Sequence, residues 1–381
     1  MRPGIDTCDA APGQAGIAAT IRARLAAALS DAPAAVDWGD LPVEAVLVIA
    51  EAEGVLPLLE WRLRERNAWQ ALPAALREGL AAATRQAVMA ALFRERETRR
   101  IAQALADIGA RALLLKGNAL ALWLYPQPYL RTTSDIDLLV PSRAEALRAR
   151  HAFARLGYAM EPVPGGMIHE MKGKLVVDGV ARCEIDLHDR LLNAPLYADV
   201  FTFDELWTSA VELPALGKSL KTLAPPYAFA HACMNRALDR QLSITDRLKL
   251  LYDMHLFCAN LDQAGWQRQS ALLRAKGIAG SCLPSILDAV DDMGTRVPEQ
   301  VLAELASQAD SESLDWRRFR DWRYMQWRNL RALPGMKPRI AWLWQRLFPP
   351  HHHLVDLYGE SSRWKQATHR LKRLLSRLTG D

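Results

Sequence analysis

Two hydrophobic periods alternate along this chain, and the points where they change divide it. Residues 16–108 read as helix throughout. Residues 42–66 are apolar with charges on one side, and Gly54 and Pro57 are expected to break or kink the segment. From Pro73 to Ile108 the chain is dominated by Ala, Leu, Arg and Glu, all strong helix formers. Ile101, Leu105 and Ile108 recur at i, i+4 and i+7, so one face turns inward, and Gly109 fits a C-cap.

The texture then shifts. Residues 112–115 form a short apolar run, read as a buried strand. Residues 118–125 read as a helix ended by Pro126 and Pro128. Residues 135–140 alternate and then turn apolar before Pro141, which predicts a second strand. Ser142 is the expected N-cap of a helix running to about Leu156, with Gly157 after it. Residues 175–177 and 181–188 flank Asp178-Gly179 and predict a hairpin. Helical periodicity returns from Pro225 to about Met293, most clearly over 228–238 and 247–261. The order predicts a small α/β unit between two helical regions.

Composition narrows the class. Half of the 381 residues are apolar and 24% are charged, as in an ordinary soluble globular protein with enough chain to bury a sizeable core. Cys8, Cys183, Cys233, Cys258 and Cys282 are scattered without a CxxC pair, which argues against a disulfide framework and a structural zinc site. Residues 1–16 lack the apolar stretch of a signal peptide, and no run approaches a transmembrane segment of roughly 18 apolar residues. A reducing cytoplasm is the expected location.

Charge adds one more feature. The net +5 hides 15 Lys/Arg against 3 acids between Trp316 and Arg377, while the remainder has 33 basic and 40 acidic residues, net −7. A basic tail on an acidic body points to a polyanionic partner. Residues 363–378 are a basic amphipathic helix candidate, with Trp364, Leu371, Leu374, Leu375 and Leu378 largely on one side. The Trp-rich stretch 316–344 fits helix packing better than base stacking, and His351–His353 fit a solvated loop better than a metal tract.

The candidate chemistry lies in the middle. On a strand, residues i and i+2 share a face, so Asp135 and Asp137 project together from the start of an apolar strand. Two carboxylates so close repel each other unless a cation lies between them, and magnesium takes carboxylate and phosphate oxygens together. Removing either aspartate is therefore expected to leave the apo fold intact. Asp186 is the third carboxylate, with Glu184 as its competitor on the same face. Three convergent carboxylates can hold two metal ions. Lys116-Gly117-Asn118 joins a strand to a helix, where glycine lets the backbone approach a phosphate and the helix start offers free N–H groups. His188 fits either a phosphate or acceptor contact or a hydrogen-bonded structural histidine. Arg131 fits either phosphate neutralisation or a loop-anchoring pair with an aspartate. For His231, Arg247 and Asp253, structural pairing is the expected role.

These motifs together resemble the polymerase β-type nucleotidyltransferases: strand, glycine, helix, then Asp-x-Asp, then a distant Asp. Gly117-Asn118 stands where that superfamily usually has Gly-Ser or Gly-Gly. Lys116-Gly117, Tyr125-Pro126, Arg131 ahead of Asp135-Ile136-Asp137-Leu138-Leu139-Val140, and Asp186-Leu187-His188 resemble more closely the bacterial uncharacterised nucleotidyltransferase family. Similar flanking segments include Asp246-Arg247-Leu248, Leu251-Tyr252-Asp253, Gly265-Trp266 and Leu347-Phe348-Pro349-Pro350 with Tyr358, so the resemblance runs from about residue 37.

The resemblance implies an α+β fold, a small mixed-sheet nucleotidyltransferase core embedded in mainly helical N- and C-terminal regions. The expected divisions are a helical region (1–108), the core (109–215), a helical domain (216–310) and the basic tail (311–381). It implies catalysis and metal binding by Asp135, Asp137 and Asp186, with two Mg²⁺ or Mn²⁺ ions. Lys116, Gly117, Asn118, Arg131, Ser134 and His188 are the nucleotide-binding candidates. The implied activity is transfer of a nucleoside monophosphate from an NTP such as ATP, releasing pyrophosphate. RNA (a tRNA end in particular), a protein or peptide side chain, and a small molecule all stay open as acceptor. The alternative is a catalytically inactive fold that binds nucleotide or a partner.

Overall fold

In a computed structural model describing residues 12–31, 36–164, 168–241 and 246–347, helices α1 (Pro12–Leu29), α2 (Val43–Ala52), α3 (Leu56–Glu65) and α4 (Ala74–Asp107) precede the first strand. Gly54 takes a left-handed φ of 74° between α2 and α3, and Pro57 sits in the first turn of α3. The break is therefore where glycine and proline predict it.

Next come β1 (Leu113–Leu114), α5 (Lys116–Trp123), β2 (Asp135–Leu139), α6 (Arg143–Arg155), β3 (Ala159–Met160), β4 (Glu170–Val177) and β5 (Val180–His188). Ser142 caps α6 by accepting from the Glu145 N–H at 3.3 Å. Asp178 and Gly179 form the hairpin turn with φ of 52° and 75°, the two positive values a tight turn requires. The chain continues through α7 (Phe203–Ser209), β6 (Val211–Leu213) and β7 (Gly217–Thr222). The described residues end in α8 (Pro225–Gln241), α9 (Leu248–Ala259), α10 (Gln263–Lys276), α11 (Ala279–Met293), α12 (Glu299–Ser311), α13 (Trp322–Ala332) and α14 (Met336–Leu347).

The fold is α+β, with one seven-stranded mixed sheet in the order β3-β4-β5-β2-β1-β7-β6. That sheet is larger than hydrophobic periodicity predicts. β4 begins at Glu170, five residues before its apolar end, because its first half is polar on one face. β7 pairs parallel with β1, Leu114 opposite Thr222, and carries β6 antiparallel on its outer side.

Two hydrophobic clusters cover the sheet. On one face Leu114, Ile136, Leu138, Ile185 and Leu187 pack with Ile101 and Leu105 of α4 and Ala149 and Phe153 of α6. Neighbouring positions that point the other way, Leu113, Leu115 and Leu139, join a second cluster. It is shared by α1 to α3, by the first half of α4 through Leu76 and Leu80, and by α8 to α12. Of the N-terminal helices, α4 thus spans both clusters, its second half covering the sheet, while α1 to α3 meet the C-terminal helices. Among the described residues no helix is long and apolar enough to cross a membrane. Cys183, Cys233, Cys258 and Cys282 are buried free thiols. Residues 348–381, which include His351–His353 and the basic amphipathic segment, lie outside the described residues.

Candidate active site

The geometry begins with strand register. β2 runs parallel to β5, placing Asp135 opposite Glu184 and Asp137 opposite Asp186. β4 runs antiparallel on the far side of β5, placing Glu170 opposite His188, Lys172 opposite Asp186 and Lys174 opposite Glu184. Directly paired residues share a face. Three strands therefore present one polar surface, backed by the apolar face beneath.

Within it, Asp137, Asp186 and His188 each offer a ligand atom, all within 4.8 Å of one another, a grouping able to hold a metal ion. Asp137 is buried. Its Oδ1 takes the Lys116 ammonium at 2.6 Å and lies 3.0 Å from His188 Nε2. Burial alone would raise its pKa, but Lys116 and His188 outweigh burial and hold it at about 2. Asp186 behaves oppositely. Burial, then the nearby Glu170 carboxylate, lift it to about 7, against an opposing pull from Lys172 at 3.8 Å. Of the two carboxylates on β5, Asp186 is thus in the group, while Glu184 is 42% exposed beside Lys174. Asp135 is half-buried outside the group, its Oδ1 accepting from Thr133 Oγ1 at 3.0 Å.

The Lys116 backbone explains how its side chain reaches Asp137. Leu115 donates its N–H to the Asp137 carbonyl at 2.9 Å, so the chain leaves β1 beside that aspartate. Lys116 then takes φ 50°, a left-handed conformation that costs a non-glycine residue about 1–2 kcal/mol. Gly117 follows, where a Cβ would lie 3.2 Å from both Arg131 Nη1 and Thr133 Oγ1. The glycine lets the loop before Asp135 pack on the first turn of α5, a closeness the phosphate argument does not anticipate. Asn118 is buried and donates to Thr98 Oγ1 on α4 at 2.9 Å, away from the carboxylates. Ser134 is exposed.

Arg131 is the loop's anchor. Its Nε and Nη2 both reach Asp253 of α9 at 2.7 Å, and Tyr125 donates to the same carboxylate at 2.7 Å. This is the pairing alternative considered from sequence. Thr132 is held on both sides: its Oγ1 donates to the Gly54 carbonyl at 2.8 Å, and its own carbonyl accepts from Lys249 Nζ at 3.3 Å. Burial, then the cations Arg131 and Arg247, push the Lys249 pKa down to about 8.

Sequence reasoning missed Glu170, Lys172 and Lys249. Glu170 accepts from Asn193 at 3.2 Å and pairs with Lys172 at 3.0 Å. The alternation Glu170, Lys172, Lys174 against Met171, Gly173, Leu175 was the available signal, a strand polar on one side. Nothing local marks Lys249, whose place depends on packing between regions distant in sequence.

The arrangement fits cations. Carboxylates converge, ammonium groups already lie against two of them, and a loop-to-helix start adjoins. The family described as uncharacterised nucleotidyltransferase matches residues 39–309, well over half of the chain. No curated protein and no solved structure matches it.

Proposed function

The chain belongs to the uncharacterised nucleotidyltransferase family, and from that premise we propose that it transfers a nucleoside monophosphate from an NTP to an acceptor, with release of pyrophosphate. The observation that carries this reading is the parallel register of Asp137 with Asp186 beside Lys116-Gly117. It joins a cation-binding carboxylate pair to a loop with the polarity a triphosphate needs.

Asp135, Asp137 and Asp186 would hold two divalent cations, Mg²⁺ or Mn²⁺, which neutralise triphosphate charge and make an acceptor hydroxyl more acidic. Lys116 would turn from Asp137 to a phosphate oxygen once a cation takes the carboxylate. The free N–H groups at the start of α5 favour anionic oxygens there. Ser134, exposed beside Asp135, would meet the nucleotide from the solvent side. His188 keeps Asp137 oriented. The acceptor oxygen forms a bond to the α-phosphorus while the bond to the bridging oxygen of pyrophosphate breaks. The acceptor proton passes to a neighbouring carboxylate or to water.

RNA, a protein side chain and a small molecule all remain candidate acceptors. The test is incubation with each α-labelled NTP and Mg²⁺ or Mn²⁺, with RNA and protein from the host as acceptors. Label in one pool assigns the acceptor class. Nucleotide binding without label transfer or pyrophosphate release would instead support the inactive binding fold.

A further inference from the structure

α8 crosses behind the Lys116-Gly117 loop, and its residues at helical spacing, Ala228, His231, Ala232 and Asn235, line a cavity of about 40 Å³ together with Lys116 and Gly117. Such a volume admits a water or a hydroxyl, but not a nucleobase. His231 is 3% exposed, yet its Nε2 has no hydrogen-bond partner among the described residues. Buried polar atoms are nearly always satisfied, so an orphan beside a candidate phosphate loop calls for a ligand.

The ring's other side identifies the ligand chemistry. The backbone of Leu191 acts on the ring as a hydrogen-bond acceptor does, and with Nε2 unpartnered among the described residues that influence falls on Nδ1. Nδ1 therefore carries the proton and Nε2 presents a lone pair. A lone pair does not hold phosphate oxygens, which are acceptors themselves; it holds a hydroxyl that donates. Burial, then the Lys116 ammonium, press the imidazole pKa down to about 3, so the ring is neutral across the physiological range.

We propose that His231 is a specificity-determining residue that accepts a hydrogen bond from a hydroxyl of the nucleotide sugar and so selects ribonucleotides. The inference rests on the nucleotidyl-transfer reading. Lys116 and Gly117 line the same cavity as His231, so a triphosphate held there would carry its sugar, one ester bond from the α-phosphate, within reach of it.

The test is equilibrium binding of the four NTPs and their 2′- and 3′-deoxy analogues to the full chain in Mg²⁺, for wild type, His231→Leu and His231→Gln. Wild type should favour the ribonucleotide over one deoxy analogue by about tenfold, the scale of one hydrogen bond to a buried group. His231→Leu should bring the ratio near one, and His231→Gln, which keeps an acceptor, should restore part of it. Equal affinities in wild type would overturn the proposal, and would do so even if His231→Leu did not fold. An unchanged ratio in folded His231→Leu would also overturn it, leaving a buried water as the partner of Nε2. Folded wild type that binds no nucleotide would overturn this proposal and the nucleotidyl-transfer reading together, whereas binding without discrimination overturns this one alone.

Discussion

The ammonium of Lys116 lies 2.6 Å from Oδ1 of Asp137, on a backbone held at φ 50°. It sits where the carboxylate would meet a divalent cation, so a bound cation would compete with the lysine for one oxygen. Lys116→Met should therefore bind Mn²⁺ more tightly than wild type without nucleotide, by about tenfold for the loss of one close charge. It should also transfer nucleotide poorly. Mn²⁺ titration followed by electron paramagnetic resonance measures the first and pyrophosphate release the second. Weaker Mn²⁺ binding in the variant would mean that Lys116 supports the cation site.

Asp135 and Asp137 should separate in stability though not in activity. Both Asp135→Ala and Asp137→Ala are expected to abolish transfer. Asp135 is half-buried with Thr133 as its partner, so its removal should change stability by less than about 1 kcal/mol. Asp137 is buried between Lys116 and His188, and its loss leaves both without their partner, at a cost of about 3–5 kcal/mol. This revises, for Asp137, the expectation that losing either aspartate spares the fold. Urea unfolding of the two variants side by side decides it.

Arg131→Ala should unfold more easily than wild type, by about 3–5 kcal/mol, because buried Asp253 loses its cation and keeps only the Tyr125 hydroxyl. Arg131→Lys should recover little, since one ammonium cannot make the two parallel bonds. If Arg131→Lys instead keeps full stability and raises only the NTP KM, the arginine acts on phosphate.

His231 gives a pH signature in the acid range. Its folded pKa, about 3, lies below the ordinary value of 6.5, because burial and then Lys116 disfavour the charged ring while Asp137 only partly compensates. The folded state thus binds fewer protons than the unfolded one. The contribution is complete above about 6.5 and is lost as pH falls toward 3. His231→Leu should flatten that part of the melting-temperature profile between pH 6.5 and 4, measured against wild type. Parallel profiles would show that the ring is protonated in the fold.

The basic segment 363–377 lies outside the described residues, and its role is tested by truncation before Arg363. If it binds a polyanion, salt weakens acceptor binding of the full chain more than of the truncated one, and transfer to a small generic acceptor persists. Equal salt slopes with a lowered melting temperature would make it a packing element.

What was legible in the sequence was local. The Asp135/Asp137 alternation, the Asp178-Gly179 turn, the Ser142 cap and the break at Gly54 each depend on neighbours within a few residues, and the structure carries them as expected. Partnerships across the chain were not legible. That Arg131 faces Asp253, that Asn118 turns to Thr98, and that His231 Nε2 lacks a partner among the described residues all depend on which helices pack into the two hydrophobic clusters. β7 was hidden because Lys218, Ser219 and Lys221 mask its strand pattern, and its parallel pairing with β1 bridges more than a hundred residues.

The Arg131–Asp253 pair also sets an order in time. Asp253 follows Arg131 by 122 residues, and α9 must be made and packed before it can fasten the loop in front of Asp135. A nascent chain that has emerged only through β5 carries all three aspartates without their clasp. The loop ahead of Asp135 is thus fastened late in synthesis, and a product cut short before α9 would carry the sequence motifs without this clasp.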